Sequence, residues 1–270
     1  MPAHIAPDRT RGLIIACGDL AADDRSAALL TRLLSFVGVH PRIAVLTAPD
    51  AALDDDYWLE PALLAAGAGE VRVHTLRARA DASQPALLDA IDHVDLVVIA
   101  PHAPLRLTTL IGGTQLARTL RRRSADGVAI GAVGAASAIL SEHMLAHGAE
   151  GATPRQGAAS LAPGLGLTNR VVVDPGGSAS DRLGRLLTAL SLNPFALGLG
   201  IDAGTAAVIG PDNVLDVVGS GGITVLDPAE MDESNAAAVS DGAPIRITNL
   251  RLHALTAGTR YDLDFRRAVT

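Results

Sequence analysis

Residues Val128 to Leu140 read VAIGAVGAASAIL. A short apolar run leads into glycine and small residues, and a second apolar run follows. The pattern predicts a buried strand, a tight turn and a helix. In hydrolases built on such an elbow, the nucleophile stands in a G-x-S-x-G frame. Here the frame is Gly131-Ala132-Val133-Gly134-Ala135, and the nucleophile position holds valine, which can neither attack nor lose a proton. Outward from this stretch, GLIIACG (Gly12–Gly18), RIAVLTA (Arg42–Ala48) and DLVVIA (Asp95–Ala100) are further apolar runs of strand length, and EVRVHTL alternates as a strand does. Between them, DDRSAALLTRLLSFVG places Leu29, Leu30, Leu33 and Leu34 on one helical face, and Asp54–Ala66 and ALLDAIDHV also read as helices. The alternation predicts one α/β domain spanning residues 1–270, with a mostly parallel sheet and helices on both faces. Sites in such sheets lie beyond the carboxyl ends of the strands, here after Ala100, Ile130, Val173 and Ile201. Beyond Asp202, the short strands AAVIG, VLDVVG and GITVLD predict an antiparallel edge of the same sheet, and PIRITNLRLHALTAGTRYDL adds one or two more.

Hydrophobic residues make up 49% of the 270 residues but aromatics only 2%, so small aliphatic side chains must fill the core. The formal charge of -7 lacks the basic excess of a nucleic-acid binder or of a protein drawn to anionic membranes. Arg121-Arg122-Arg123 suits the solvated carboxyl end of a helix, where the dipole favours cations. Cys17 is the single cysteine, which excludes an internal disulfide and a cysteine metal cluster. MPAHIAPDRTRG at the N-terminus has no apolar signal core, and no apolar run reaches bilayer length, so a cytoplasmic protein is expected. No cofactor or metal is implied.

Several longer blocks follow one another in order: LRLTTLIGGTQLARTLRRR (Leu105–Arg123), SEHMLAHG (Ser141–Gly148), APGLGL (Ala162–Leu167), GRLLTAL (Gly184–Leu190), GLGID (Gly198–Asp202) and VVGSGGITVLD (Val217–Asp227). Together they resemble the cyanophycinases, with peptidase E as a more distant relative, from about Gly12 to Leu263. Cyanophycinases are serine-type exopeptidases that cut an aspartate-backbone, arginine-bearing polymer into dipeptides. The resemblance implies a three-layer α/β fold, a serine–histidine–glutamate site and a symmetric dimer. The family's G-T-S-A-G-A-S elbow aligns with GAVGAAS, which puts the serine position on Val133. Its D-Q-H-F-S stretch aligns with DPGGS, which puts the histidine on Gly176. Its G-I-D-E-D-T-A stretch aligns with GIDAGTA, which puts the glutamate on Ala203. The G-G-D-Q turn that helps hold substrate and oxyanion is replaced by Pro101-His102-Ala103-Pro104. Oxyanion donors are commonly backbone N–H groups, and proline has none.

No nearby residue is expected to take over. Ser137, four residues beyond Val133, is displaced about 6 Å along a helix and about 40° around it, away from the elbow's exposed tip. His102 in the altered turn is expected to be solvated, although it can face the cleft. His143 and His147, four apart on an expected helix, have zinc spacing but no third ligand. Asp54-Asp55-Asp56 reads as an acidic helix start. Arg106, Asp174, Ser178, Arg182 and Arg185 flank the family's substrate groove, where they either bind a charged ligand or brace helix ends and the subunit contact. The residues therefore point to a cyanophycinase homologue without catalysis, acting as a binding or regulatory subunit. It would pair with an active cyanophycinase chain or with itself, and would bind cyanophycin or β-aspartyl-arginine. The alternative is a hydrolase with relocated chemistry. A Val133→Ser substitution is expected to restore no activity, and to cost little stability if the position faces solvent.

Overall fold

The computed structural model describes residues 10–48, 58–175 and 179–269. Five of its strands lie side by side in parallel, four of them short apolar runs and the edge strand β3 alternating: β1 (Ile14–Cys17), β2 (Arg42–Thr47), β3 (Glu70–Thr75), β4 (Leu96–Ile99) and β5 (Ala129–Ala132), in the order β3-β2-β4-β5-β1. All residues of β1, β4 and β5 are buried, as strands covered on both faces must be. One face is covered by α1 (Asp24–Val37) and α2 (Leu59–Ala65), whose Leu29, Leu30, Leu33, Leu34, Leu59 and Leu63 pack on Ile15, Val45 and Val98. The other is covered by α3 (Pro85–Ile91), α4 (Pro104–Ile111) and α5 (Gln115–Ala125). Local chemistry starts these helices. Asp23 caps α1 by accepting the Ser26 N–H at 2.8 Å, Thr114 caps α5, and proline opens α3 and α4. Each fully buried leucine contributes about 1.5–3 kcal/mol.

The chain next forms the hairpin β6 (His143–Gly148) and β7 (Ala159–Pro163), then β8 (Val171–Pro175), α6 (Ala179–Leu192) and β9 (Leu197–Ile201). β10 (Thr205–Ile209) and β11 (Val214–Gly219) extend the first sheet antiparallel from β1, as expected for AAVIG and VLDVVG. GITVLD does not. As β12 (Gly222–Asp227) it pairs with β9 in a separate four-stranded sheet, ordered β15-β12-β9-β8. Its last partner, β15 (Arg251–Thr256), follows the small pair β13 (Glu233–Ser234) and β14 (Ile247–Thr248), while β16 (Arg260–Asp262) and β17 (Arg267–Val269) complete the nine-stranded sheet. The strands ending near Val173 and Ile201 therefore belong to this second sheet, which corrects the single-sheet expectation. The crossing is made at glycines: a Cβ on Gly219 (φ 125°) would lie 2.3 Å from the Gly204 carbonyl oxygen, and one on Gly221 would lie 2.7 Å from Thr205 Oγ1.

Both sheets feed one core. Val171, Val173, Leu199, Ile201, Ile223 and Val225 share an apolar cluster with Ile14, Ala16 and Ile130. The outer face of the second sheet is covered by α6, through Val172, Leu186, Ala189, Leu190 and Leu226. The carboxyl ends of β1, β4, β5, β8 and β9 thus come together although they belong to two sheets. The basic run does end a helix, α5, but it is engaged: Arg121 donates to the Leu165 carbonyl, and Arg122 and Arg123 pair with Asp92. No helix among the described residues is long and apolar enough to cross a membrane.

Candidate functional site

The elbow is closed on its apolar side. Val133 continues β5 in extended conformation (φ -119°, ψ 139°), and its N–H donates to the Ile99 carbonyl at 3.1 Å. Its side chain is 3% exposed and packs in the cluster beneath α1, so the position does not face solvent. Gly134 then turns with φ 57°, where a Cβ would lie 2.9 Å from Asp19 Oδ1 and 3.3 Å from Pro101 Cβ. The N–H after the nucleophile position supplies an oxyanion donor in hydrolase elbows. Here that N–H, on Gly134, donates to the Gly18 carbonyl at 3.2 Å, and the Asp19 carboxylate beside it is a poor neighbour for a developing negative charge. The turn that follows, Gly134–Leu140, is a 3₁₀ helix rather than an α-helix. Ser137 is fully buried in it, with Oγ 2.6 Å from the Cys17 carbonyl and 2.8 Å from that of Ala132. This hydroxyl ties the turn to two strands.

The Pro101–Pro104 turn lies against the elbow. Neither proline has an N–H, and the His102 N–H donates to the Ala100 carbonyl at 2.9 Å. Ala103, exposed, leads into α4. The expected solvation of His102 is overturned: the ring is 2% exposed and its Nε2 lies 2.8 Å from Thr47 Oγ1. The short turn after β4 folds the ring back over the neighbouring β2, where Thr47 is the last strand residue. His143 and His147 also depart from expectation, because they lie on the strand β6 and not on a helix. An extended chain carries residues four apart about 13 Å from each other, too far to share a metal. His143 instead meets the Phe195 ring edge-on at 5.8 Å. No group of potential metal ligands occurs among the described residues.

The facing wall is charged. Asp174, at the end of β8, is 2% exposed and accepts two bonds from Arg185 of α6, Nε to Oδ2 at 2.8 Å and Nη2 to Oδ1 at 2.6 Å. Burial pushes this carboxyl above its usual value, and Arg185 opposes the rise. Arg185 can lie flat because residue 148 is glycine: a Cβ there would sit 2.4 Å from Arg185 Cδ. Arg182, one turn earlier, makes no ion pair among the described residues, and burial lowers its affinity for a proton. The carboxylates of Asp174, Asp19 and Asp202 act on it from a distance. Arg106 donates to the Ala48 carbonyl at 3.0 Å and braces the end of β2. Ala203 is exposed at the tip between β9 and β10, where Gly204 bonds to the Asp19 carbonyl. A cleft of about 200 Å³ opens between the walls, lined by Pro104, Ala135, Ala138, His147, Asp174 and Arg185. Gly176, Ser178 and Asp54-Asp55-Asp56 lie outside the described residues.

The structure thus places Pro104, Asp174 and Arg185 around this cleft, puts Arg182 with Asp174 and Asp202 in an adjoining pocket, buries Val133 beneath α1, and bonds Arg106 to the end of β2. Sequence reasoning missed Asp19 and Asp202. Asp202 directly follows β9 and Asp19 stands two residues beyond β1, and that position beyond the carboxyl end is the signal that marks them.

No protein-family model matches the chain. A cyanophycinase of Trichormus variabilis is 33% identical over 198 residues, 73% of this chain and 66% of that protein. One of Synechococcus elongatus is 34% identical over 263 residues, 94% of this chain and 80% of that protein. Among solved structures, a peptidase from an acI-B1 actinobacterium superposes with a TM-score of 0.65 at 19% identity, covering 94% of this chain and 98% of its own. A peptidase E-type protein from Listeria monocytogenes superposes with a TM-score of 0.53 at 10% identity, covering 78% of this chain and all of its own. These two likenesses carry the fold, and the identity across most of the chain carries the lineage: the chain belongs to the cyanophycinase family.

Proposed function

We propose that this chain is a non-catalytic member of its family that acts as a binding or regulatory subunit in cyanophycin metabolism, in the cytoplasm. The carrying observation is the elbow. The nucleophile position holds a buried valine, and the Gly134 N–H that would meet an oxyanion is bonded to Gly18. A serine-type site gains most of its rate from nucleophile, base and oxyanion donors together, and the motif resemblance implies that Val133, Gly176 and the Pro101–Pro104 turn stand where those groups would be. His102, the titratable group nearest the altered turn, is buried against Thr47, which argues against relocated chemistry. The charged wall of Asp174, Arg182 and Arg185 suits a ligand with both carboxylate and guanidinium groups, such as cyanophycin or β-aspartyl-arginine. Pairing would use the family's dimer surface, with an identical chain or an active cyanophycinase. The test is incubation of the pure chain with cyanophycin and a fluorophosphonate probe. No released dipeptide and no labelled serine are expected, whereas stoichiometric labelling overturns the reading. Co-expression with an active cyanophycinase of the same organism tests the pairing: a mixed dimer is expected, and a chain that runs as a monomer and never co-purifies removes the subunit role.

A further inference from the structure

A second cleft lies at the pole opposite the candidate site. It has a volume of about 450 Å³ and is lined by Arg11, Thr168, Asn169, Arg170, Asn213 and Asp264, among others. Arg11 precedes β1 and Arg170 precedes β8, so both stand at the amino ends of strands whose carboxyl ends lead to the cleft described above.

Three observations meet here. First, neither arginine makes a side-chain hydrogen bond or ion pair among the described residues, and Arg11 Nε is buried without a partner. Burial also makes the Arg11 guanidinium easier to deprotonate than usual. Arg11 is half-buried and Arg170 is exposed, so a ligand oxygen gains a charge-assisted hydrogen bond at the partly desolvated Arg11 guanidinium. Second, the one carboxylate lining the cavity, that of Asp264, accepts from Asn213 Nδ2 at 3.1 Å and makes no ion pair with either arginine among the described residues. Third, Arg170 holds φ 56°, a left-handed conformation that a non-glycine residue adopts at some cost. Such outliers persist where the surroundings over-determine them, and they cluster at ligand clamps. Asn213, on the same wall, holds φ 57°. Two guanidinium groups, with threonine hydroxyl and asparagine amide groups beside them, form a donor-rich pocket suited to a planar or tetrahedral oxyanion.

We propose that this cavity binds a small molecule bearing an oxyanion, a carboxylate or a phosphate, between Arg11 and Arg170. The site is independent of the elbow and of whether the chain is catalytic. The experiment is isothermal titration of the full chain with inorganic phosphate and, separately, with succinate. Saturable binding of at least one is expected, and the tighter of the two assigns the ligand class. Arg11→Gln should weaken binding about tenfold or more, the scale of a charge-assisted hydrogen bond. Arg170→Gly should weaken it as well while leaving the thermal midpoint unchanged or higher, because glycine accepts φ 56° without strain. If Arg11→Gln fails to fold, Arg170→Gly alone decides. Arg118→Gln, on the exposed face of α5, should bind as the parent does. No saturable binding of either anion, unchanged binding in Arg170→Gly, or an equal loss in Arg118→Gln overturns the proposal.

Discussion

The two walls of the candidate cleft differ in kind. Val133, Gly134 and Ser137 on the elbow wall are core: the valine packs beneath α1, the glycine N–H is spent on Gly18, and the serine hydroxyl lies against two strand carbonyls. On the facing wall, Asp174 and Arg185 keep a bidentate ion pair at 2% and 17% side-chain exposure, and Arg182 beside them makes no ion pair among the described residues. An apolar wall can close because nothing polar is left unsatisfied. A charged wall can persist only where each buried charge has a partner or a ligand. The difference teaches that the two walls are held by different forces: the apolar one is closed by packing, and the charged one depends on the Asp174–Arg185 pair.

That contrast can be broken from the charged side first. Asp174→Ala leaves Arg185 half-buried without its carboxylate and should cost about 3–5 kcal/mol, read by urea denaturation. Adding Arg185→Met should recover a large part, and a loss under about 1 kcal/mol in the single variant would mean the pair is solvated. From the apolar side, Val133→Ser should cost about 2–3 kcal/mol through lost packing and a buried hydroxyl. Dipeptide release should stay at background, since no base stands at the aligned position. This replaces the expectation of a solvent-facing, inexpensive swap. Measurable turnover by that variant would show that the elbow is still served by a base and an oxyanion donor.

Smaller effects sharpen the same boundary. Gly134→Ala should cost about 1–2 kcal/mol, because alanine is strained at φ 57° and its methyl meets Asp19 and Pro101. A neutral result in thermal melts would place the turn in another conformation. Thr47→Val removes the hydroxyl that lies 2.8 Å from His102 Nε2 and should cost about 1–3 kcal/mol, with the His102 ring signal shifting in NMR spectra. The smallest expected change is at Cys17, whose thiol burial pushes up to about 12. It should resist iodoacetamide at pH 8 in the folded chain and react only after denaturation. Rapid labelling of the native protein would show that the floor beneath the elbow opens to solvent.

Apolar run length and helical spacing were enough to read the parallel strands β1, β2, β4 and β5 and the helices α1, α2 and α3. These are local signals, carried by which side chains avoid water. The absence of a hydroxyl at Val133 is likewise a fact of sequence, given the elbow that surrounds it. The same run length could not assign β8, β9 and β12 to a second sheet, because a buried strand looks alike in either sheet and pairing is a long-range choice. Nor could spacing show that His143 and His147 sit on a strand, or that the His102 ring turns inward to Thr47. Whether Val133 faces solvent, whether Gly134 has a free N–H, and which carboxylate Arg185 holds were decided only by tertiary packing, because each depends on an atom contributed by a distant part of the chain.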